Sequence, residues 1–317
     1  MPNDLVPPIP LENLMRVVLP IVAVGRDARW HAVGTSFVVA VPDPKSAFLL
    51  TAGHNLLFVR DLSARGQLHH PTTAPEFRPQ APKWVEFDGA EVYVCLVGPS
   101  RAVLPEMIRA WFLQAFDVAL VLVKIRDDDD ETFTEKLTLD ARPIEEGCPV
   151  MAVGYPGMLA ESTADFEKRE FLGQLRLELQ CRFGSVVKKC PTGIGIHKWP
   201  GFLVSCPLDS GMSGGPLIDL SGAVPTARGI VGGDVSETAE DGTRGSGIQA
   251  FASMLWPAML TPTQIALEAE DGTLLVPENA RLIDLVRHGL IDDLGRSQEH
   301  VRFEEKDGIL RCWWVAS

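Results

Sequence analysis

Ser213 lies in LDSGMSGGPLIDLSG, residues 208–222, with glycines at 211, 214 and 215 and a proline at 216. Glycines on both sides of one serine, followed by an apolar run, describe a tight turn that presents a side chain at the start of a strand. A serine held in this way can attack a carbonyl if a base takes its proton; taken alone, the stretch is equally a hairpin with a serine in it. The usual base is a histidine oriented by a carboxylate. Of the seven histidines, His31, His69, His70, His197, His288 and His300 lie in polar loops, near-loop contexts or a late helical segment. His54 differs. In FLLTAGHNL it follows an apolar run and a small-residue turn, as a strand end does when it offers one side chain to a cleft. Asp117, in AFDVALVLV, opens one of the most apolar runs of the chain. Burial there would require hydrogen bonds or a cation, and an imidazole N–H can supply one. By itself Asp117 reads as a strand-start aspartate facing solvent.

The elements that must position these residues are mostly strands. Residues 35–41, 46–53, 91–98 and 117–125 form short apolar or alternating runs between Gly, Pro, Asp and Asn. After the acidic run 127–131 come 149–157, 175–189, 201–207, 215–220 and 227–235. Many strands separated by turn signals, with no crossover helices, indicate an all-β sandwich or barrel rather than a parallel α/β sheet. The run of four aspartates and a glutamate is a solvated loop between two strand-rich halves. Beyond about residue 260 the pattern changes: Leu282, Val286, Leu290 and Leu294 share one face of a helix expected over 277–295, with Gly295 as its stop. Trp313 and Trp314 near the C-terminus should dock on the body or on a partner.

The chain has 317 residues and a formal net charge of −13, which argues against a nucleic-acid surface. No apolar run is long enough to cross a bilayer, so no membrane partner is expected. Asp4, Glu12 and the prolines at 7, 8 and 10 do not describe a signal peptide, and a cytoplasmic protein is expected. The six cysteines are scattered without close pairs and are expected to be free, mostly buried thiols. Cys181, Cys190 and Cys206 with His197 have no zinc-ligand spacing, so neither a metal nor any cofactor is expected.

TAGH, FDVALV and SGMSGGPL, in the order His, Asp, Ser, resemble the motifs of the chymotrypsin-like serine peptidases. The nearer likeness is to bacterial trypsin-like peptidases related to the HtrA and glutamyl-endopeptidase branches, which VMAVGYPG at 150–157 and GIVGGD at 229–234 also resemble. The likeness spans roughly residues 15–260. It implies two antiparallel six-stranded β-barrels with a small mixed C-terminal extension: an N-terminal arm 1–14, barrels over 15–130 and 131–260, and an extension with one helix over 261–317. It implies a serine endopeptidase acting on a protein or peptide substrate, with catalytic His54, Asp117 and Ser213 and an oxyanion hole from the N–H groups of Gly211 and Ser213. By alignment to the family, Pro207, Leu208 and Asp209 fall near the base of the substrate pocket, and Gly232, Gly233 and Gly247 on its walls. Small walls favour an uncharged side chain, while Asp209 and Asp234 leave a basic preference open. Animal digestive members carry an aspartate just before the nucleophile, where Met212 stands here, so activation by N-terminal trimming is not expected. The alternative is a non-catalytic binding module of the same fold. The extension exceeds what two barrels need, which makes it the expected place for a regulatory protein partner.

Overall fold

The computed structural model describes residues 8–24, 30–65, 83–86, 92–97, 102–113, 116–165, 170–234, 250–263, 266–268, 274–278, 280–306 and 309–315. A short helix, α1 (Leu11–Val17), leads into the first barrel. Its strands are β1 (Val18–Val24), β2 (Trp30–Asp43), β3 (Ser46–Ala52), β4 (Lys83–Glu86), β5 (Val92–Val94), a small β6 (Leu96–Val97)–β7 (Ala102–Val103) hairpin, β8 (Glu106–Leu113) and β9 (Val118–Lys124). The order β8-β5-β1-β2-β3-β9, with β9 pairing back onto β8, closes six strands into a ring; β5 meets β8 at Glu106, and β4 pairs with Arg109–Phe112 further along the same edge. Closure removes open edges and lets the inward faces pack on one another. Phe37, Phe48, Leu50 and Trp111 fill this barrel and are almost wholly buried.

The second barrel is a closed ring of β10 (Pro149–Gly154), β13 (Gln180–Cys190), β14 (Gly201–Val204), β17 (Ala250–Met254), β16 (Thr226–Asp234) and β15 (Pro216–Asp219). A hairpin of β11 (Leu159–Asp165) and β12 (Glu170–Arg176) projects between β10 and β13. All pairings within both rings are antiparallel. The chain is therefore all-β in two six-stranded barrels, as the resemblance implies.

Between β3 and β9 lies α2 (Gly53–Ala64), a helix that the strand pattern did not lead us to expect. Its signal is in the sequence: Leu56, Val59 and Leu62 recur every third residue, and all three are buried.

Residues beyond 260 form two small hairpins, β18 (Leu267–Glu268) with β19 (Leu274–Val276) and β20 (Val301–Lys306) with β21 (Ile309–Trp314), and two short helices, α3 (Leu282–Arg287) and α4 (Ser297–His300). The helix expected over 277–295 is corrected to α3 alone. It stops at His288 because Gly289 takes a left-handed φ of +73°, and Leu294, expected on the buried face, is 54% exposed. The segment packs on the body: Leu282, Leu285 and Ile291 join the main core, and Leu139 donates its N–H to Asp292 O and accepts from Leu294 N–H. Trp314 stacks on His300 with ring centroids 4.9 Å apart and packs against the same core, while the side chain of Trp313 lies outside what is described.

Arg228 follows Ala227 on β16 and lies inside a charge network. Its Nη2 is 2.9 Å from Asp140 Oδ2 and its Nε 2.9 Å from Asp219 Oδ2, and both carboxylates are almost fully buried. Arg142 closes the other side of Asp140. Removing Arg228 leaves Asp140 with Arg142 alone and takes from Asp219 its cation, which leaves buried charge poorly compensated. Arg228→Met should lower stability by about 3–5 kcal/mol, read as a fall in the urea midpoint, whereas an unchanged midpoint would show the network to be dispensable.

Candidate active site

Three segments meet where the barrels face each other: the β3–α2 junction, the start of β9 and the turn before β15. At the first, Gly53 and His54 open α2, and N–H groups in the first turn of a helix have no partner within it. Asp117 supplies both acceptors. Its backbone carbonyl accepts from Gly53 N–H at 2.9 Å, and its Oδ1 accepts from His54 N–H at 2.8 Å. The second carboxylate oxygen, Oδ2, lies 2.9 Å from His54 Nδ1. One buried aspartate thus completes the helix end and orients the imidazole. Asp117 has φ +49°, a left-handed conformation that aspartate tolerates better than most side chains. The solvent-facing reading of this residue is excluded, because it is 6% exposed. The His54 side chain is 42% exposed, so its outer edge is open to the cleft.

The serine turn is built on a left-handed glycine. Gly211 has φ +98°, and a Cβ there would lie 2.5 Å from Tyr155 O. The N–H groups of Met212, Gly214 and Gly215 donate to Asp209 O, Val231 O and Met212 O. Among the described residues, those of Gly211 and Ser213 have no acceptor. Met212 is fully buried against the body. The Ser213 hydroxyl donates to Gly232 O on β16 at 2.8 Å, and its backbone carbonyl accepts from Thr35 N–H at 2.8 Å and from Asn55 Nδ2 at 2.9 Å.

The expected pocket residues are only partly gathered. Gly232 and Gly233 lie on β16 beside the serine, and a Cβ on Gly233 would meet nothing within 4 Å. Pro207, Leu208 and Asp209 lie on the segment leading into the serine turn; Leu208 is half-buried, and Pro207 and Asp209 are exposed. Asp209 Oδ2 accepts from Arg182 Nη2 at 2.6 Å, so its charge has a partner on β13. Gly247 and the side chain of Asp234 lie outside what is described.

Two side chains near the site have no role in the sequence reading, Asn55 because nothing singles it out and His197 because neither its context nor its spacing to the cysteines suits a base or a zinc ligand. Asn55 directly follows His54 and reaches the serine carbonyl, a contact spanning 158 positions that leaves no local mark. His197, in the turn between β13 and β14, is 7% exposed and stacks on Phe251 with centroids 4.4 Å apart. Neither of its ring nitrogens has a hydrogen-bond partner among the described residues. Burial pushes its pKa below the ordinary histidine range; the Asp117 charge opposes this shift and His54 adds to it. The aromatic content of IHKWP, with Trp199 edge-on to His197, was the available signal. A buried neutral imidazole takes up its proton more readily in the unfolded chain, so it costs stability as pH falls below about 6.5. His197→Phe keeps the stack and should raise Tm relative to the parent increasingly as pH drops from about 7 to 5. Parallel Tm curves would reject this.

Five cysteines, Cys95, Cys148, Cys181, Cys190 and Cys206, are free thiols, and burial pushes Cys95, Cys181 and Cys206 up to about 11. Among the described residues no group of three or more His, Cys, Asp or Glu side chains is placed to hold a metal ion, and no helix is long and apolar enough to cross a membrane.

The chain matches the trypsin-like peptidase domain family over residues 34–224, which includes His54, Asp117 and Ser213. It is similar to the active form of the Rv3671c protease of M. tuberculosis, at 18% identity and a TM-score of 0.42, over 80% of this chain and 88% of that one. It is also similar to the MamO protease domain of Magnetospirillum magneticum, at 12% identity and a TM-score of 0.44, over 77% and 95%. No curated protein matches the chain. With more than half its length matched by the family profile, the chain belongs to the trypsin-like peptidase family and is a serine peptidase with a peptide or protein as substrate.

Proposed function

We propose that Ser213 is the nucleophile of this peptidase, His54 its general base and Asp117 the group that orients the base. The observation that carries the proposal is the double engagement of Asp117: one oxygen on the His54 backbone N–H, the other on His54 Nδ1. That arrangement keeps the Nδ1 proton in place and leaves Nε2 free to accept one. In the resting geometry the Ser213 hydroxyl is turned to Gly232 O. The catalytic reading requires the hydroxyl to leave that acceptor and turn to the imidazole by a change of χ1 between staggered wells. Attack on the substrate carbonyl then transfers the serine proton to His54, which returns it to the leaving amine. The N–H groups of Gly211 and Ser213 would bind the developing oxyanion, and both lack another acceptor among the described residues.

A fluorophosphonate probe tests this reading. We expect one adduct per chain, mapped to Ser213 by mass spectrometry. An unlabelled parent protein would favour the non-catalytic binding module. For specificity we propose an uncharged residue at the cleaved position, because Arg182 already pairs with Asp209 and the β16 wall is glycine. A peptide-library profile should show that preference, and Asp209→Asn should leave it unchanged. A lysine or arginine preference lost in that variant would overturn it.

We also propose that the enzyme is bacterial and cytoplasmic. Its motifs resemble a bacterial branch, and its described cysteines are free thiols, as a reducing compartment favours. Cell fractionation placing it outside the cytoplasm would reject this. A regulatory protein would act on residues 261–317, where Leu294 is exposed beside Leu139, on the segment joining the barrels. Cleavage stimulated by cell lysate in the parent, and lost in Leu294→Asp, is the expected result; equal stimulation of both proteins overturns it.

A further inference from the structure

The serine turn is fastened to the first barrel through one small polar node. Thr35, fully buried on β2, donates its hydroxyl to Gly211 O at 2.7 Å and its N–H to Ser213 O at 2.8 Å, so it holds both ends of the turn. Thr51, at the end of β3, donates its hydroxyl to Thr35 O at 2.6 Å and accepts from Asn55 Nδ2 at 3.0 Å. Asn55 is 2% exposed, and the same Nδ2 donates to Ser213 O at 2.9 Å. Two glycines make room for that one amide. A Cβ on Gly34 would lie 2.4 Å from Asn55 Nδ2, and a Cβ on Gly214 would lie 2.7 Å from it.

We propose that Asn55 is a positioning residue for the nucleophile: its carboxamide, seated in the space left by Gly34 and Gly214, fixes the main chain of Ser213 relative to the base that immediately precedes Asn55. The inference rests on Ser213 and His54 having the roles proposed above. The physical case is one of registration between two bodies. Nucleophile and base come from different barrels, and a shift of the order of 1 Å between reacting groups can cost about 10²-fold in rate. Most contacts between two barrels would resist separation. A bond from the residue adjoining the base to the carbonyl of the nucleophile resists sliding at the place where sliding matters. It also occupies a second acceptor direction on the Ser213 oxygen, which Thr35 alone would leave open. Asn55 touches no reacting atom, so its effect passes through the position of Ser213.

The test is a double-mutant cycle on the full chain, with Asn55→Ala, Gly34→Ala and the pair, read by kcat and KM on a peptide substrate and by the fluorophosphonate labelling rate. Asn55→Ala should lower kcat by about 10- to 100-fold with KM changed by less than about 3-fold. Gly34→Ala leaves the amide in the chain but pushes it from its seat, and should lower kcat similarly. The pair should be no slower than the worse single variant, because both remove one interaction. Losses that multiply, or an Asn55→Ala kcat equal to the parent's, overturn the proposal. If Asn55→Ala does not fold, Gly34→Ala alone carries the test, and a Gly34→Ala kcat equal to the parent's overturns the proposal. The two levels of inference fail separately. A parent that is not labelled at Ser213 defeats the catalytic reading, whereas a labelled parent with an equally reactive Asn55→Ala variant defeats only the positioning role.

Discussion

Ser213→Ala should lower peptide-bond turnover by about 10⁶-fold while leaving the fold intact. The two halves of that expectation have separate grounds. On the proposed reading the rate falls because the Ser213 hydroxyl is the group that forms the acyl intermediate, and without it His54 has no serine proton to take. About 10³- to 10⁴-fold catalysis over water should persist from binding and from the N–H groups at 211 and 213, which the substitution leaves in place. The fold is spared because Ser213 is tied to the scaffold through its backbone. Its carbonyl holds Thr35 and Asn55, and the side chain loses only the bond to Gly232 O. A lost neutral hydrogen bond at a half-buried site costs about 1 kcal/mol. Steady-state kcat on a peptide amide, with a urea midpoint on the same sample, checks both halves. A variant retaining more than about a hundredth of the parent rate would place the nucleophile elsewhere.

The residues that carry this expectation could be picked out of the sequence because each chemical role leaves a local trace. A glycine stands at 211 where φ is +98°, an apolar run precedes TAGH because β3 is buried, and another follows Asp117 because β9 is buried. Nine of the twelve ring strands were legible for the same reason, β1, β8 and β17 being the exceptions, and so was the antiparallel connectivity, since no crossover helix separates them. The missing elements are those whose signal is weak or conflicting. β1 contains Pro20, which lowers the expectation of a strand, yet it pairs on both sides with β2 and β5. α2 begins within three residues of a strand end, so its apolar spacing reads as a continuation. α3 is cut short by a left-handed glycine that a regular leucine spacing hides. The least legible features are the contacts between barrels. Thr35 meets Gly211 across 176 positions and Asn55 meets Ser213 across 158, and neither residue type nor neighbours mark them. They exist only once both rings have closed.

Asp117→Asn should lower kcat by about 10⁴-fold with little change in KM or Tm. The carboxylate faces two donors at once, the His54 backbone N–H on Oδ1 and the Nδ1 proton on Oδ2. An amide has one acceptor oxygen and one NH₂ group. Whichever way it turns, a donor must face a donor, and the backbone N–H at the start of α2 has no alternative partner within the helix. The imidazole is the side that gives way. Its proton moves to Nε2, so that Nδ1 accepts from the new NH₂ and the nitrogen facing the cleft carries a proton where it should accept one. Asparagine is the informative replacement because it also tolerates a left-handed φ, here +49°, so the backbone adds little strain of its own. Alanine would add that strain and empty the space beside the helix end, mixing a folding effect with a tautomer effect. A kcat within about tenfold of the parent would mean that His54 is oriented by something other than this carboxylate. A 10⁴-fold loss with an unchanged melting temperature would tie rate to tautomer through a single buried residue.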